Sequence, residues 1–183
     1  PGVWVSTPSG YTLPVSNHGT LKLHQPIAAR DDQRIDFALT RDQADWSRHA
    51  FVALADTQTL DNHDMARLHA ETVPSVQGTV ATLSGRPVFG VAVGDIMYDR
   101  LEMYPEYERA VHRIGIPFAQ VVGNHDLDFD AAIDDDSTRT FSRHFGPAWY
   151  SFNRGEVHYV VLDDVLWFGR GYIGHRGREQ LEW

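Results

Sequence analysis

The sequence predicts an α+β fold: a parallel β-α-β-α-β core, an antiparallel hairpin after it and a short all-β stretch before it. Three observations carry this. The run Val88-Phe89-Gly90-Val91-Ala92-Val93 is apolar or Gly throughout, the mark of a strand buried on both faces. Two more strand-like runs, Val52–Ala55 and Phe118–Val122, are separated from it by segments long enough for helical crossovers, which parallel neighbours require. All three runs stop at polar residues, namely Asp56-Thr57-Gln58, Gly94-Asp95 and Gly123-Asn124-His125-Asp126. In open α/β sheets, that carboxyl edge is where ligands bind.

The elements follow in order. Residues 1–46 carry short alternating runs, Val3-Trp4-Val5, Tyr11-Thr12-Leu13, Leu21-Lys22-Leu23 and Ile35–Leu39. Turn signals at Pro8-Ser9-Gly10 and Asn17-His18-Gly19 divide them, so this stretch reads as a partial all-β domain. Thr40–Ser47 reads as a linker, and residues 47–183 as the second domain. Asp61 or Asn62 can cap a helix running to about Thr72, and Pro74 can open a further segment to about Leu83. Gly85-Arg86-Pro87 stops it before the Val88 strand. Tyr104–Ile114 is amphipathic, with Gly115 as its stop. Residues 149–152 and 157–162 flank Asn153-Arg154-Gly155, a hairpin signal with Trp149, Tyr150 and Phe152 in the core. Arg178–Trp183 begins another helix.

Composition excludes several partners. The 183 residues hold 16 Lys and Arg against 25 Asp and Glu, a net charge of -9, which disfavours nucleic acid and anionic membrane and suits a collector of divalent cations. There is no Cys, hence no thiolate ligand or nucleophile. No apolar run approaches the roughly 20 residues of a membrane span. The chain opens at Pro1 and closes at Trp183 inside a helical run, so both ends are expected to be cut.

Asp, Gln, Asn and His gathered at one sheet edge are what a hard or borderline dication needs. Asp95, on the middle strand, is placed to bridge two metals, with Asp56 and Gln58 on one and Asn124 on the other. His125 then stands beside the pair as a proton donor to a leaving group. Asp99 is either a carboxylate that orients His125 or a surface residue.

The three segments resemble those of the calcineurin-like metallophosphoesterase family: Asp-x-His, then Gly-Asp with a further Asp, then Gly-Asn-His followed by Asp or Glu. Here they stand as Asp56-Thr57-Gln58, Gly94-Asp95-Ile96-Met97-Tyr98-Asp99 and Gly123-Asn124-His125-Asp126, with Gln58 in the usual His position. The resemblance implies a four-layer α/β/β/α sandwich and hydrolysis of a small phosphate mono- or diester. It also implies two divalent metal ions (Mn, Fe, Zn or Mg) on Asp56, Gln58, Asp95 and Asn124, with His125 catalytic. A branch with a leading β-domain is the nearer likeness, from Val5–Tyr11 and Phe37-Ala38-Leu39. It implies an exported or periplasmic protein.

The family's later segments, a lone His and Gly-His-x-His, have no counterpart. Gly174-His175-Arg176-Gly177 lacks the second His and reads as a loop, so the last metal ligands are expected outside this chain. The alternative is a non-catalytic module that binds a metal or ligand. The acidic stretch Asp126, Asp128, Asp130 and Asp134–Asp136 lacks the spacing of a calcium loop and reads as solvated. His63, His69, His112, His144 and His158 have no partner motif and read as structural.

Overall fold

The computed structural model describes residues 2–28 and 32–183; residues 1 and 29–31 of the expected β-rich stretch lie outside the described residues. The architecture is mixed α/β. At its centre is a parallel sheet of β3 (Ala50–Ala55), β4 (Val88–Val93) and β5 (Phe118–Val121), in that order. The helices between these strands are α1 (Asn62–Arg67), α2 (Val73–Thr82) and α3 (Tyr104–Ile114).

One face of the sheet packs on the helices. Val52, Leu54, Ala92, Phe118 and Val122 meet Val73 and Val76 of α2 and Tyr104, Tyr107, Ala110, Val111 and Ile114 of α3. Those five α3 residues recur every three or four positions, which makes one buried stripe. Gly115 closes α3 in the left-handed conformation at φ 84°. Asp61 caps α1, its carboxylate accepting from the N–H groups of His63 and Asp64. Two separate segments were expected up to Leu83. Instead α1 runs into α2 through a π turn, Leu68–Thr72, where the Val73 N–H reaches the carbonyl of Leu68. Pro74, second in α2, has no N–H for the carbonyl four residues back, and the wider turn absorbs that defect.

The other face packs on an antiparallel hairpin, β6 (Tyr150–Arg154) and β7 (Val157–Val161). Phe89 and Ala119 meet Tyr150, Phe152 and Val161 there, with Phe89 edge-on to Phe152 at 5.6 Å. Asn153 and Arg154, expected in the turn, belong to β6; Arg154 pairs with Val157 and leaves Gly155-Glu156 as the turn. Gly155 has φ 55°, and a Cβ on it would lie 2.4 Å from the Trp46 carbonyl oxygen. Arg154 is buried, donates to the Tyr11 carbonyl at 2.6 Å and lies 4.7 Å over the Trp46 ring.

The stretch before the sheet departs from its expected strands. Among its described residues, only β1 (Gly2–Trp4) and β2 (His24–Pro26) pair as a ladder. Tyr11 and Leu21 make isolated bridges, and Ile35–Leu39 forms no strand. The apolar residues go elsewhere: Leu13, Leu21 and Leu23 sit in the same core as Phe89 and Phe152. Thr20 bridges Phe118 of β5, and Thr7 bridges Phe152 of β6. Backbone satisfied pair by pair, with side chains on the central sheet, replaces a sheet of its own.

The later chain adds α4 (Asp134–Ser137), α5 (Arg139–Phe145), a second hairpin of β8 (Val165–Trp167) and β9 (Tyr172–Gly174), and α6 (Arg178–Glu182). The acidic stretch is not simply solvated. Asp128 accepts from the N–H and hydroxyl of Thr140, Asp134 accepts from the Trp167 N–H, and Asp126 is fully buried. β3 also differs from a strand buried on both faces: it lies at the sheet edge and leaves Phe51 51% exposed. Among the described residues no helix is long and apolar enough to cross a membrane.

The β4–β5 register sets Gly90 beside Phe118, and a Cβ on Gly90 would lie 2.1 Å from the Phe118 ring. That ring is fully enclosed and cannot retreat. Gly90→Ala is expected to lower stability by about 1–3 kcal/mol, read from urea denaturation; an unchanged midpoint would refute this packing.

Candidate functional site

Parallel register alone brings the three polar segments level. Ala55 pairs with Val93, and Val93 with Val121, so Asp56, Gly94 and Val122 follow side by side. The backbone then turns sharply. Asp56 (φ 49°), Gln58 (φ 40°), Asp95 (φ 46°) and Asp99 (φ 60°) are left-handed, and among the described residues Asp32 is the only other non-Gly residue that is. Such a conformation costs about 1–2 kcal/mol per residue, and residues strained in this way concentrate at functional sites.

Tight contacts hold these turns. The Gln58 N–H donates to the Asp95 carbonyl at 2.9 Å, and the Thr57 hydroxyl to the Ile96 carbonyl at 3.0 Å. A Cβ on Gly123 would lie 2.1 Å from the Asp95 nitrogen and 2.2 Å from its Oδ1, so only Gly fits between the second and third segments. Beneath them lies Asp126. Its carboxylate accepts from the N–H groups of Ile96 (3.1 Å), Met97 (3.2 Å) and Gly123 (3.0 Å) and from the Tyr104 hydroxyl (2.9 Å). Burial pushes its pKa up to about 6, opposed by these four donors.

Asp95 is nearly buried. Its Oδ1 accepts from the His125 N–H at 3.1 Å, and its Oδ2 from Nε2 of Gln58 at 2.9 Å. The Asn124 Nδ2 donates to the Tyr172 hydroxyl at 3.0 Å. Both amides thus spend their N–H ends on neighbours. Among the described residues, the amide oxygens of Gln58 and Asn124 and the carboxylate of Asp56 have no hydrogen-bond donor. His125 stacks on Tyr98, ring centroids 4.3 Å apart, and its Nδ1 lies 2.7 Å from Oδ1 of Asp99. The Asp99 N–H returns to the His125 carbonyl. Of the two readings of Asp99, the geometry selects the one that orients His125. With Nδ1 donating to that carboxylate, Nε2 is the nitrogen left for proton exchange.

Asp56, Asp95 and Asn124 line one cleft of about 560 Å³. Gln58 touches Asp95 but lines the neighbouring groove with Asp64, Arg67 and Glu71; Asp56 lines both. Asp164 and Arg176 complete the cleft. Sequence reading missed these two and Tyr172, because the chain past residue 160 carries no recognisable motif. It placed Asp126 with the solvated acids, although its position in Gly123-Asn124-His125-Asp126 was a usable signal.

A second group, Asp61, His63 and Asp64, brings its ligand atoms within 4.8 Å of one another. It sits exposed at the start of α1, where Asp61 is the cap and Asp64 accepts from the Leu60 N–H.

No family model matches the chain, and no curated protein matches it. Among solved structures, it is similar to the purple acid phosphatase PPD1 from yellow lupin (Lupinus luteus) seeds, with 13% sequence identity and a TM-score of 0.43. The match covers 62% of this chain and 24% of that one, so the chain spans about a quarter of that phosphatase.

Asp126→Asn places an amide N–H against backbone N–H donors and is expected to destabilise by about 2–4 kcal/mol. The pH dependence has a sign. A carboxylate raised from about 4 to about 6 on folding contributes most stability below pH 4 and loses that contribution as pH rises through 6. The gap in melting temperature between wild type and Asp126→Asn should therefore narrow from pH 4 to pH 6. A gap that widens would mean that the four donors outweigh burial.

Proposed function

We propose that the protein carrying this chain is a metal-dependent phosphoesterase acting on a small phosphate mono- or diester. Asp56, Gln58, Asp95 and Asn124 would hold two divalent ions from the set Mn, Fe, Zn and Mg. The single observation that carries this reading is the orientation of the donor set. Gln58 and Asn124 have their N–H ends engaged by Asp95 and Tyr172, and Asp56 is uncommitted, so oxygen atoms remain for a cation at one strand-end cluster. Carboxylate and amide oxygens at left-handed, strained turns suit a hard or borderline dication.

Bound there, the metals supply Lewis-acid stabilisation of phosphoryl charge and a water nucleophile near neutral pH. The remaining chemistry falls to the chain. His125 delivers a proton from Nε2 to the departing alkoxide, and Asp99 stabilises the imidazolium before transfer. Tyr98 fixes the ring plane. Helices on one face of the parallel sheet and a hairpin on the other fit three consecutive layers, α/β/β, of a four-layer α/β/β/α sandwich.

Asp95→Asn should lower metal-dependent hydrolysis of an aryl phosphate by at least about 100-fold without unfolding the domain. His125→Ala should slow turnover by about 10²–10⁴-fold with metal content retained. Metal loss in the His125 variant would reverse the assigned roles. Stoichiometric Mn²⁺ binding with no turnover on mono- or diesters would identify a non-catalytic metal-binding module instead.

A further inference from the structure

The cleft at the strand ends is acidic: Asp56, Asp95 and Asp164 line it. Among the described residues that line it, Arg176 is the one cation. Its guanidinium makes no ion pair and no hydrogen bond with any described residue, although three carboxylates share its cleft. An arginine serving to neutralise those carboxylates would be paired with one of them. An exposed, unpaired guanidinium facing the same space is instead a receptor for an incoming anion.

Its backbone is fixed on both sides. β9 pairs with β8 so that Gly174 faces Val165, and the next N–H, that of His175, donates to the Asp164 carbonyl at 2.8 Å. α6 starts two residues after Arg176. From the same strand, Tyr172 reaches Asn124. The segment Tyr172–Arg176 thus holds the Asn124 amide through Tyr172 at one end and brings Arg176 to the cleft at the other.

We infer that Arg176 binds a non-bridging oxygen of the substrate's phosphoryl group and sets its orientation against Asp56, Asp95 and Asn124. This rests on the phosphoesterase reading. A guanidinium matches a phosphoryl group through two parallel N–H···O bonds and stays charged at every working pH. It also offsets the repulsion that three carboxylates exert on an anionic ester.

The test compares wild type, Arg176→Gln and Arg176→Lys in the protein that carries this chain, with Mn²⁺ present. It measures KM and kcat on p-nitrophenyl phosphate, orthophosphate binding by calorimetry, bound metal and melting temperature. Arg176→Gln should raise both KM and the orthophosphate Kd by about 10- to 100-fold. kcat should change less, and metal content and melting temperature should not change. Arg176→Lys should recover part of the affinity, since it restores charge but not the fork. Unaltered orthophosphate affinity in Arg176→Gln overturns the inference, and so does a loss that tracks metal content or melting temperature. Arg176-dependent orthophosphate binding without turnover would preserve the oxyanion site and remove the catalytic reading. Wild type that neither binds orthophosphate nor hydrolyses ester would remove both.

Discussion

The site depends on one buried carboxylate. Asp126 reaches from the loop after β5 to the loop after β4 and takes the N–H groups of Ile96 and Met97, closing on Gly123 in its own turn. Tyr104, at the start of α3, adds a fourth donor. A charge so placed is costly unless nearly all its acceptor capacity is used, and here four donors use it. This locks two strand-end loops to each other and to the helix that packs on the sheet. Gly94 and Gly123 can then approach closely enough for the Asp95 carboxylate to take the His125 N–H.

The clamp supports strain. Four left-handed residues concentrated at two strand ends oppose folding by several kcal/mol in sum, at about 1–2 kcal/mol each. Two apolar cores, one on each side of the parallel sheet, supply the opposing stabilisation. The strain has a chemical result. Turns that regular strand geometry forbids carry Asp56, Gln58 and Asp95 off the ends of the strands. The Gln58 amide is turned so that its N–H meets Asp95, and the Asn124 amide so that its N–H meets Tyr172.

Distant segments complete this arrangement. The stretch before residue 47 supplies Leu13, Leu21 and Leu23 to the core behind the central sheet. Arg154 ties it to the β6–β7 hairpin through the Tyr11 carbonyl and the Trp46 ring. The β8–β9 hairpin carries Tyr172, which takes the Asn124 amide N–H, and leads into Arg176, which lines the cleft. A site that began as three loops therefore draws on the whole second half of the chain.

The sequence by itself determined the parallel core, because apolar runs such as Val88–Val93 have one stable environment and the intervening segments fit one kind of connection. It also determined which residues stand at the strand ends, since Asp56, Asp95 and Asn124 follow directly from where those runs stop. Helix limits were legible where a local signal exists, as at Asp61 and Gly115. Tertiary structure decided the rest. Leu13, Leu21 and Leu23 look like strand residues, but their partners lie about 70 to 140 positions away, beyond any local pattern. Asp126 is chemically the same in a solvated acidic run as in a buried clamp; only the N–H groups of Ile96 and Met97, some 30 residues distant, distinguish the two. Asp99 faces His125, and Arg176 faces the cleft, for the same reason: side-chain roles at a sheet edge are set by what the fold brings opposite, and periodicity carries no information about that.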